Sequence, residues 1–193
     1  VIRRELQIAE GDAFLNNDLN NLRKTIQSMG FFEDIVIKEK SLSNNLVDID
    51  INVKENQTGS FTAGASFGTL DGVTLVTGLN ESNFGGTGRG LEFMINNSED
   101  NSEYTLNTTD RFLFNRDINL KYGISYKESD YSSSSSYQLD RYQVSTGISY
   151  MFLENLYHSF KINYELDNIY VTNASTVSNT IKDVEGGSAK FIL

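Results

Sequence analysis

The chain has 193 residues and carries 16 lysines and arginines against 26 aspartates and glutamates, which gives a formal net charge of −10. This charge has the wrong sign for binding nucleic-acid phosphates or for a soluble module held to anionic lipid headgroups by basic residues. The chain has no cysteine, which excludes disulfides and thiolate metal sites, and no proline, which suits long uninterrupted strands.

The first third of the sequence has the pattern of a small α+β unit. In residues 16–30 apolar side chains recur at helical spacing, and Gly30 supplies a stop signal. Residues 35–40 and 46–55 alternate between apolar and polar side chains, as strands with one buried face do. The opening "VIRREL" has the character of the middle of a helix, and we interpret the chain as an internal piece of a longer protein.

From residue 60 onward the apolar side chains recur at every second position. This period predicts antiparallel strands rather than helices. Each predicted strand is close to the roughly 9–11 residues that cross a bilayer at a tilt. About eight strands are expected, near residues 60–68, 72–81, 88–97, 103–112, 117–128, 139–151, 157–169 and 187–193.

The alternation gives each strand one apolar face, which either a protein core or lipid must cover. A soluble β-sandwich alternates in the same way. Lipid is favoured because long and short connections alternate, Phe and Tyr concentrate at strand ends, and the opposite face carries Lys and Glu. The side chains expected toward lipid are Phe61, Ala63, Leu75, Phe93, Tyr122, Ile124, Ile148, Ile162 and Tyr164, and those expected toward a lumen are Lys121, Ser125, Gln143, Ser149, Lys161 and Glu165.

The motifs that could carry enzyme chemistry are incomplete. Asp48, Asp50 and Asn52 resemble the start of an EF-hand loop, but the glycine and the acidic residue that must follow are absent. The glycine-rich "GGTGRG" lacks the Lys-Ser/Thr of a P-loop. The single histidine, His158, has no triad spacing around it. We therefore predict a protein that is not an enzyme, with no catalytic residue, no metal and no cofactor.

Three segments carry a resemblance to a known family. "GFFEDIVIKEK" (30–40) resembles the helix end and following strand of a POTRA domain. "VDIDINVKENQTGSFTAGASFGTLDGV" (47–73) resembles the join from the last POTRA domain into the first barrel strand. "NFGGTGRG" (83–90) is similar to a turn of the same family, with Gly85 where leucine is usual. From Val1 to about Tyr126 the chain thus resembles the BamA family of outer-membrane β-barrel assembly factors.

The resemblance implies a fold of two parts. Residues 1–56 are expected to form the last POTRA domain, incomplete at its N-terminus. Residues 57–193 are expected to form the N-terminal half of an outer-membrane barrel, with about eight of about sixteen strands. The expected fold class is an α+β POTRA-like unit followed by an all-β antiparallel meander, a partial transmembrane β-barrel. The Arg-Gly-Phe/Tyr motif of the family has no counterpart in this chain.

The resemblance also implies assembly and insertion of β-barrel proteins into the bacterial outer membrane, with the N-terminal part in the periplasm. The implied partners are unfolded outer-membrane proteins, periplasmic assembly lipoproteins and chaperones, and the lipid bilayer, with no nucleic acid. The first barrel strand is expected to pair through its backbone with an incoming strand at a lateral seam. Its residues are Ser60, Phe61, Thr62, Ala63, Gly64, Ala65, Ser66 and Phe67.

Three further segments take implied roles. The expected hinge between the two parts consists of Glu55, Asn56, Gln57, Thr58 and Gly59. The expected periplasmic turn consists of Asn83, Phe84, Gly85, Gly86, Thr87 and Gly88. The expected contact with periplasmic partners consists of Arg3, Arg4, Glu5 and Glu10.

Other functions remain open at this point. A secretion or translocation channel of the same superfamily would share both the POTRA unit and the barrel. A passive porin would lack the α+β unit of residues 1–55. A soluble β-sandwich binding protein would be extracted without detergent.

Overall fold

The computed structural model describes residues 1–6, 11–13, 16–43, 46–69, 72–153, 156–178 and 186–192. The chain divides into two compact units, one of Val1–Thr58 with Gly85–Thr87 and one of Gly59–Phe84 with Gly88–Leu193. Among the described residues, no helix is both long and apolar enough to cross a membrane.

The first unit packs a helix on a two-stranded antiparallel sheet. Ile26 is fully buried and packs with Met29, Phe31 and Ile35, so the apolar stripe of the helix meets the sheet. Gly30 adopts a φ of +72°, which favours glycine and ends the helix. The helix and strands predicted for residues 16–55 are present, and the first strand is longer than predicted. The elements are α1 (Ile2–Glu5), α2 (Asn16–Ser28), β1 (Phe32–Ser43) and β2 (Leu46–Glu55).

In the described part of the chain, the second unit is one antiparallel sheet of eight strands, in which neighbours in sequence are neighbours in space. This topology confirms the predicted antiparallel meander after an α+β start. The strand limits agree with the predicted ones to within a few residues. The strands are β3 (Gly59–Gly68), β4 (Gly72–Glu81), β5 (Arg89–Asn97), β6 (Asn101–Asp110), β7 (Ile118–Asp130), β8 (Tyr137–Leu153), β9 (Leu156–Val171) and β10 (Gly186–Ile192).

The sheet separates apolar from polar side chains onto two faces. Directly paired residues of neighbouring strands share a face, so the pairings from Phe61 through Leu79 and Phe93 trace one face across the strands. All the side chains predicted to face lipid lie on this apolar face. All those predicted to face the lumen lie on the opposite, polar face.

The apolar face is uncovered within the second unit. The side chains of Phe61, Leu75 and Ile124 are 65%, 56% and 55% exposed. Soluble monomers seldom expose so large a contiguous apolar surface, so this face has the character of one that meets another apolar medium. Tyr126 lies in a row with Tyr104 and Tyr142 near one end of the face, with ring centroids 6.3 and 4.9 Å apart.

A run of five serines, residues 132–136, follows this tyrosine row and has the low-complexity composition that is typical of a flexible loop tip. In the structure Ser132–Ser135 form a one-turn helix, α3. Asp130 accepts hydrogen bonds from Ser132 N at 2.8 Å and from Gln138 Nε2 at 2.9 Å. The Ser136 carbonyl accepts a bond from Thr172 N at 2.9 Å, which ties this loop to the next one on the same side.

Candidate strand-pairing edge

Strand β3 lies at one edge of the eight-stranded sheet. It pairs with β4 in unbroken register from Gly59, opposite Glu81, to Gly68, opposite Gly72. Within the described part of the chain, no strand pairs with its other side. An edge strand presents unpaired N–H and C=O groups to which another strand can bond. The residues predicted to pair with a substrate strand, 60–67, all lie in β3.

The centre of β3 is built from small residues. Ala63, Gly64, Ala65 and Ser66 are all exposed, and a Cβ added at Gly64 would meet no atom within 4 Å. Small side chains let another backbone approach closely but contribute little packing. A strand added at this edge would therefore be held chiefly by backbone hydrogen bonds.

The segment predicted as a hinge begins with residues that are hydrogen-bonded to the first unit. Glu55 pairs with Phe32, and Asn56 N donates to the Phe31 carbonyl at 2.8 Å. The Asn56 side chain then accepts a bond from Gln57 N, also at 2.8 Å. Because Gly59 already belongs to β3, only residues 56–58 of the predicted hinge lie between β2 and β3.

The turn at residues 83–88 is closed by a side chain. Asn83 Oδ1 accepts a hydrogen bond from Gly88 N at 2.7 Å. Gly85 and Gly86 adopt φ values of +61° and +71°, positive angles that glycine adopts readily. The sequence therefore accounts for the tightness of this turn.

An ion pair that the sequence pattern does not predict lies beside this turn. Arg89 Nε at the start of β5 donates to Asp110 Oδ2 at the end of β6 over 2.9 Å. Asp110 Oδ1 also accepts a bond from Phe112 N at 3.1 Å. The only sequence signal is an acidic residue at a strand end, and the pairing register was needed to find its partner.

The polar face carries cross-strand hydrogen bonds. Arg141 binds Asp167 through two parallel bonds of 2.7 and 2.9 Å, a geometry that fixes the register of β8 on β9. Gln143 Nε2 donates to Glu165 Oε1 at 3.0 Å on the same pair of strands. This face is therefore suited to contact with water, in contrast to the apolar face on the other side of the sheet.

The residues predicted to contact periplasmic partners are only partly described. Arg3 and Arg4 lie in α1, and Arg4 Nη2 donates to the Thr87 carbonyl at 3.1 Å within the first unit. Glu10 and the side chain of Glu5 lie outside the described residues. A partner contact here stays a prediction.

His158 occupies a structural position at a strand end. It pairs with Tyr150, and its ring stacks on Phe152 with centroids 4.8 Å apart. Among the described residues, no three His, Asp or Glu side chains are grouped so that they could hold a metal ion. The groups of β3 that are available to a binding partner are the backbone N–H and C=O groups on its free side.

An α+β unit followed by an open antiparallel sheet with one uncovered apolar face is the architecture of a POTRA-like unit leading into part of an outer-membrane barrel. The family model of the Omp85 superfamily domain matches residues 83–191, more than half of the chain, and the chain belongs to this superfamily. A second family model, POTRA, described as a surface antigen variable number repeat, matches residues 1–56.

Three curated relatives carry the name outer membrane protein assembly factor BamA. The protein from Neorickettsia risticii is 22% identical over 170 residues, covering 88% of this chain and 23% of the relative. The protein from Buchnera aphidicola is 27% identical over 126 residues, covering 63% and 20%. The protein from Neisseria meningitidis is 23% identical over 148 residues, covering 76% and 18%. The chain thus spans about a fifth of the length of these relatives.

The fold is also that of a solved structure. The crystal structure of BamA from Haemophilus ducreyi lacking POTRA domains 1–3 superposes with a TM-score of 0.76 at 23% identity, covering 89% of this chain and 33% of that one. The predicted resemblance to the BamA family is thus confirmed. The protein is located in the bacterial outer membrane, with the POTRA unit in the periplasm, as predicted.

Proposed function

We propose that this chain is part of an assembly factor that inserts β-barrel proteins into the outer membrane, with β3 as the template strand. In this proposal residues 1–56 belong to the last POTRA domain, and residues 57–193 are the first half of the barrel. The observation that carries the proposal is the edge position of β3 in the sheet of an Omp85 superfamily chain.

The physical task of such a factor is to satisfy backbone hydrogen bonds in lipid. Hydrocarbon offers no partners for N–H and C=O groups, so a chain entering it alone incurs a penalty of several kcal/mol for each unpaired group. A strand edge already in the membrane supplies partners as each residue enters. Strand addition at such an edge is a known mode of peptide recognition, and it needs no covalent step.

Of the two edges of the sheet, β3 suits the template role better than β10. In a meander that continues along the chain, the free side of β10 is taken by the next strand in sequence. The free side of β3 then meets the closing strand, a neighbour distant in sequence. The small residues 63–66 give that seam little side-chain packing, so it opens at lower cost than the other strand pairs.

The N-terminal unit supplies the periplasmic contacts in this proposal. Arg3, Arg4, Glu5 and Glu10 contact assembly lipoproteins, and the unit receives unfolded outer-membrane proteins delivered by chaperones. Residues 55–59 are the hinge between the two parts. Residues 83–88 are a periplasmic turn.

A reversible lock at the seam tests the template role. One cysteine is introduced in residues 60–67 and one in the closing strand of the full-length protein. Because this chain has no cysteine, the introduced thiol is the only one within residues 1–193. Substrate barrels are assembled into vesicles with and without reductant. We expect insertion to stop when the crosslink forms and to recover on reduction. Unchanged insertion with a complete crosslink excludes β3 as the entry site.

The alternative within the superfamily is a secretion channel, since the superfamily match does not separate the two roles. The same locked protein distinguishes them when a soluble passenger is assayed beside a barrel substrate. With the seam locked, an insertase no longer inserts the barrel substrate and does not transport the passenger. A channel still moves the passenger across the membrane. A passive porin and a soluble β-sandwich are disfavoured by the α+β unit and by the uncovered apolar face, respectively.

A further inference from the structure

Two turns on the same side of the sheet share one design. Seven residues join β4 to β5, and seven join β6 to β7. In both turns the last strand residue caps the backbone two positions later. Glu81 accepts a bond from Asn83 N at 2.8 Å, and Asp110 accepts one from Phe112 N at 3.1 Å.

The two turns also share a left-handed residue at the same position. Gly85 has φ +61° and ψ +23°, and Phe114, the equivalent residue of the second turn, has φ +56° and ψ +33°. Glycine adopts this conformation readily, but a residue with a Cβ does so at a cost in free energy. The Phe114 side chain is 84% exposed, so protein packing does not offset that cost. An observed outlier of this kind points to a function.

Arg111 and Arg116 flank this phenylalanine, and both are exposed. Within the described part of the chain neither guanidinium has a hydrogen bond or an ion pair. Other arginines of the chain are held: Arg89 by a carboxylate, and Arg23 by the Ile35 carbonyl at 3.1 Å. The first turn has uncharged residues, Ser82 and Thr87, at the equivalent positions.

We propose that residues 111–116 form a phospholipid-binding turn. Arg111 and Arg116 bind the lipid phosphodiester, for which the planar guanidinium is well suited. Phe114 inserts at the boundary between headgroups and acyl chains, where aromatic residues of membrane barrels are stabilised. The ligand is membrane lipid rather than a soluble anion, because the turn leads directly into the apolar face at Ile118 and a soluble anion would leave Phe114 in water.

The inference requires the sheet to lie in the membrane but does not require β3 to template substrates. If the seam lock has no effect on insertion, the lipid-binding turn is not contradicted. If the turn does not bind lipid, the template role of β3 is not contradicted. This separation allows the turn to be tested by lipid contact alone, without any assay of barrel insertion.

A tryptophan at position 114 reports lipid contact directly, since this chain contains no tryptophan. Full-length protein carrying Phe114→Trp, with any tryptophan outside this chain replaced by phenylalanine, is reconstituted in phosphatidylcholine vesicles with brominated phosphatidylglycerol. Gly85→Trp is the matched control, at the same backbone position without the flanking arginines. In the Phe114→Trp protein we expect bromines near the headgroup to quench the indole fluorescence more strongly than bromines at the chain ends.

The arginines are tested through the relative association of the two lipids at position 114. The association of phosphatidylglycerol with position 114 should be stronger than that of phosphatidylcholine by about fivefold for each arginine. The double substitution of Arg111→Gln and Arg116→Gln should remove this preference. Gly85→Trp should show no such preference. If Phe114→Trp does not fold, as judged by heat-dependent gel mobility, Leu113→Trp gives the same measurement beside an intact Phe114.

Three results overturn the proposal. Absence of quenching by any brominated lipid places the turn in water or against a protein. Equal association of both lipids, before and after the arginine substitutions, removes headgroup recognition. Displacement of phosphatidylglycerol by inorganic phosphate at constant ionic strength makes the site one for soluble anions.

Discussion

Arg89 and Asp110 stand directly opposite each other on β5 and β6, and Arg89 Nε donates to Asp110 Oδ2 over 2.9 Å. The arginine side chain is 58% exposed, whereas that of the aspartate is only 9% exposed. The same carboxylate accepts the bond from Phe112 N that closes the following turn. One buried carboxylate therefore stabilises both a strand pair and the lipid-binding turn.

Removing this carboxylate should destabilise the sheet. Asp110→Ala leaves Phe112 N without its acceptor and Arg89 without its partner, so we expect a loss of about 1–3 kcal/mol in the free energy of unfolding. Asp117→Ala, at an exposed position in the same turn, is the control and should change it by less than about 0.5 kcal/mol. Urea unfolding of the full-length protein in vesicles measures both. Equal losses would contradict the role assigned to Asp110.

The two faces of the sheet should tolerate charge very differently. Ile124 lies on the apolar face and is 55% exposed, and the neighbouring Ser125 lies on the polar face. Arginine costs about 2–4 kcal/mol when it faces lipid at the midplane. Ile124→Arg should therefore reduce the amount of folded protein in the membrane, while Ser125→Arg should not. Membrane fractionation with heat-dependent gel mobility reports the difference, and similar effects of both changes would reverse the assignment of faces.

Gly123 should resist substitution although it lies in a regular strand. An added Cβ would collide with the Asn107 amide oxygen and approach Ser145 Oγ to 3.1 Å. Asn107 is held by a 3.1 Å bond to Glu92, so making room breaks that bond and Gly123→Ala should cost about 1 kcal/mol in unfolding free energy. Gly64→Ala adds a Cβ into open space and should not destabilise the protein. Unfolding midpoints that move together would contradict this.

The loop after β7 should loosen in acid. Hydrogen bonds from the Ser132 side chain and backbone, followed by one from Gln138, hold the pKa of Asp130 below its ordinary value. The folded-state pKa is the lower one, so the stabilisation is complete above the unfolded pKa of about 3.9 and disappears as the pH falls through the folded value. Asp130→Asn should lower the protection of the Ser132 amide against hydrogen exchange at neutral pH and have no effect in acid. A difference that persists in acid would rule out the carboxylate.

Much of the fold follows from local pattern. The alternation in residues 60–193 predicts the strands because one face must be apolar throughout, and a slip of one residue would reverse both faces. Helix α2 is predictable because Ile26 and Met29 fall on one stripe and Gly30 ends it. The first strand was predicted too short at both ends, because pairing with β2 extends it from Phe32, opposite Glu55, to Ser43, opposite Leu46.

The features that the sequence did not reveal depend on pairing between strands. Arg89 and Asp110 are 21 positions apart, and only the register of β5 on β6 brings them together. The left-handed Phe114 was missed because phenylalanine is not a turn residue, and only its equivalence to Gly85 shows the shared turn. The serine run gave no helical pattern, and α3 depends on the hydrogen bonds of Asp130 and Ser136.

The central claim is that an incoming strand pairs with β3, and crosslinking to a stalled substrate measures this contact directly. Single cysteines are placed along residues 60–67 and, as the matched control, along β10 at the other edge, in the full-length protein. Each is combined with cysteines in the terminal strand of a barrel substrate arrested during assembly. We expect disulfides from β3 in a single register and none from β10. Crosslinks confined to β10, or none at β3 while insertion proceeds, would contradict the account.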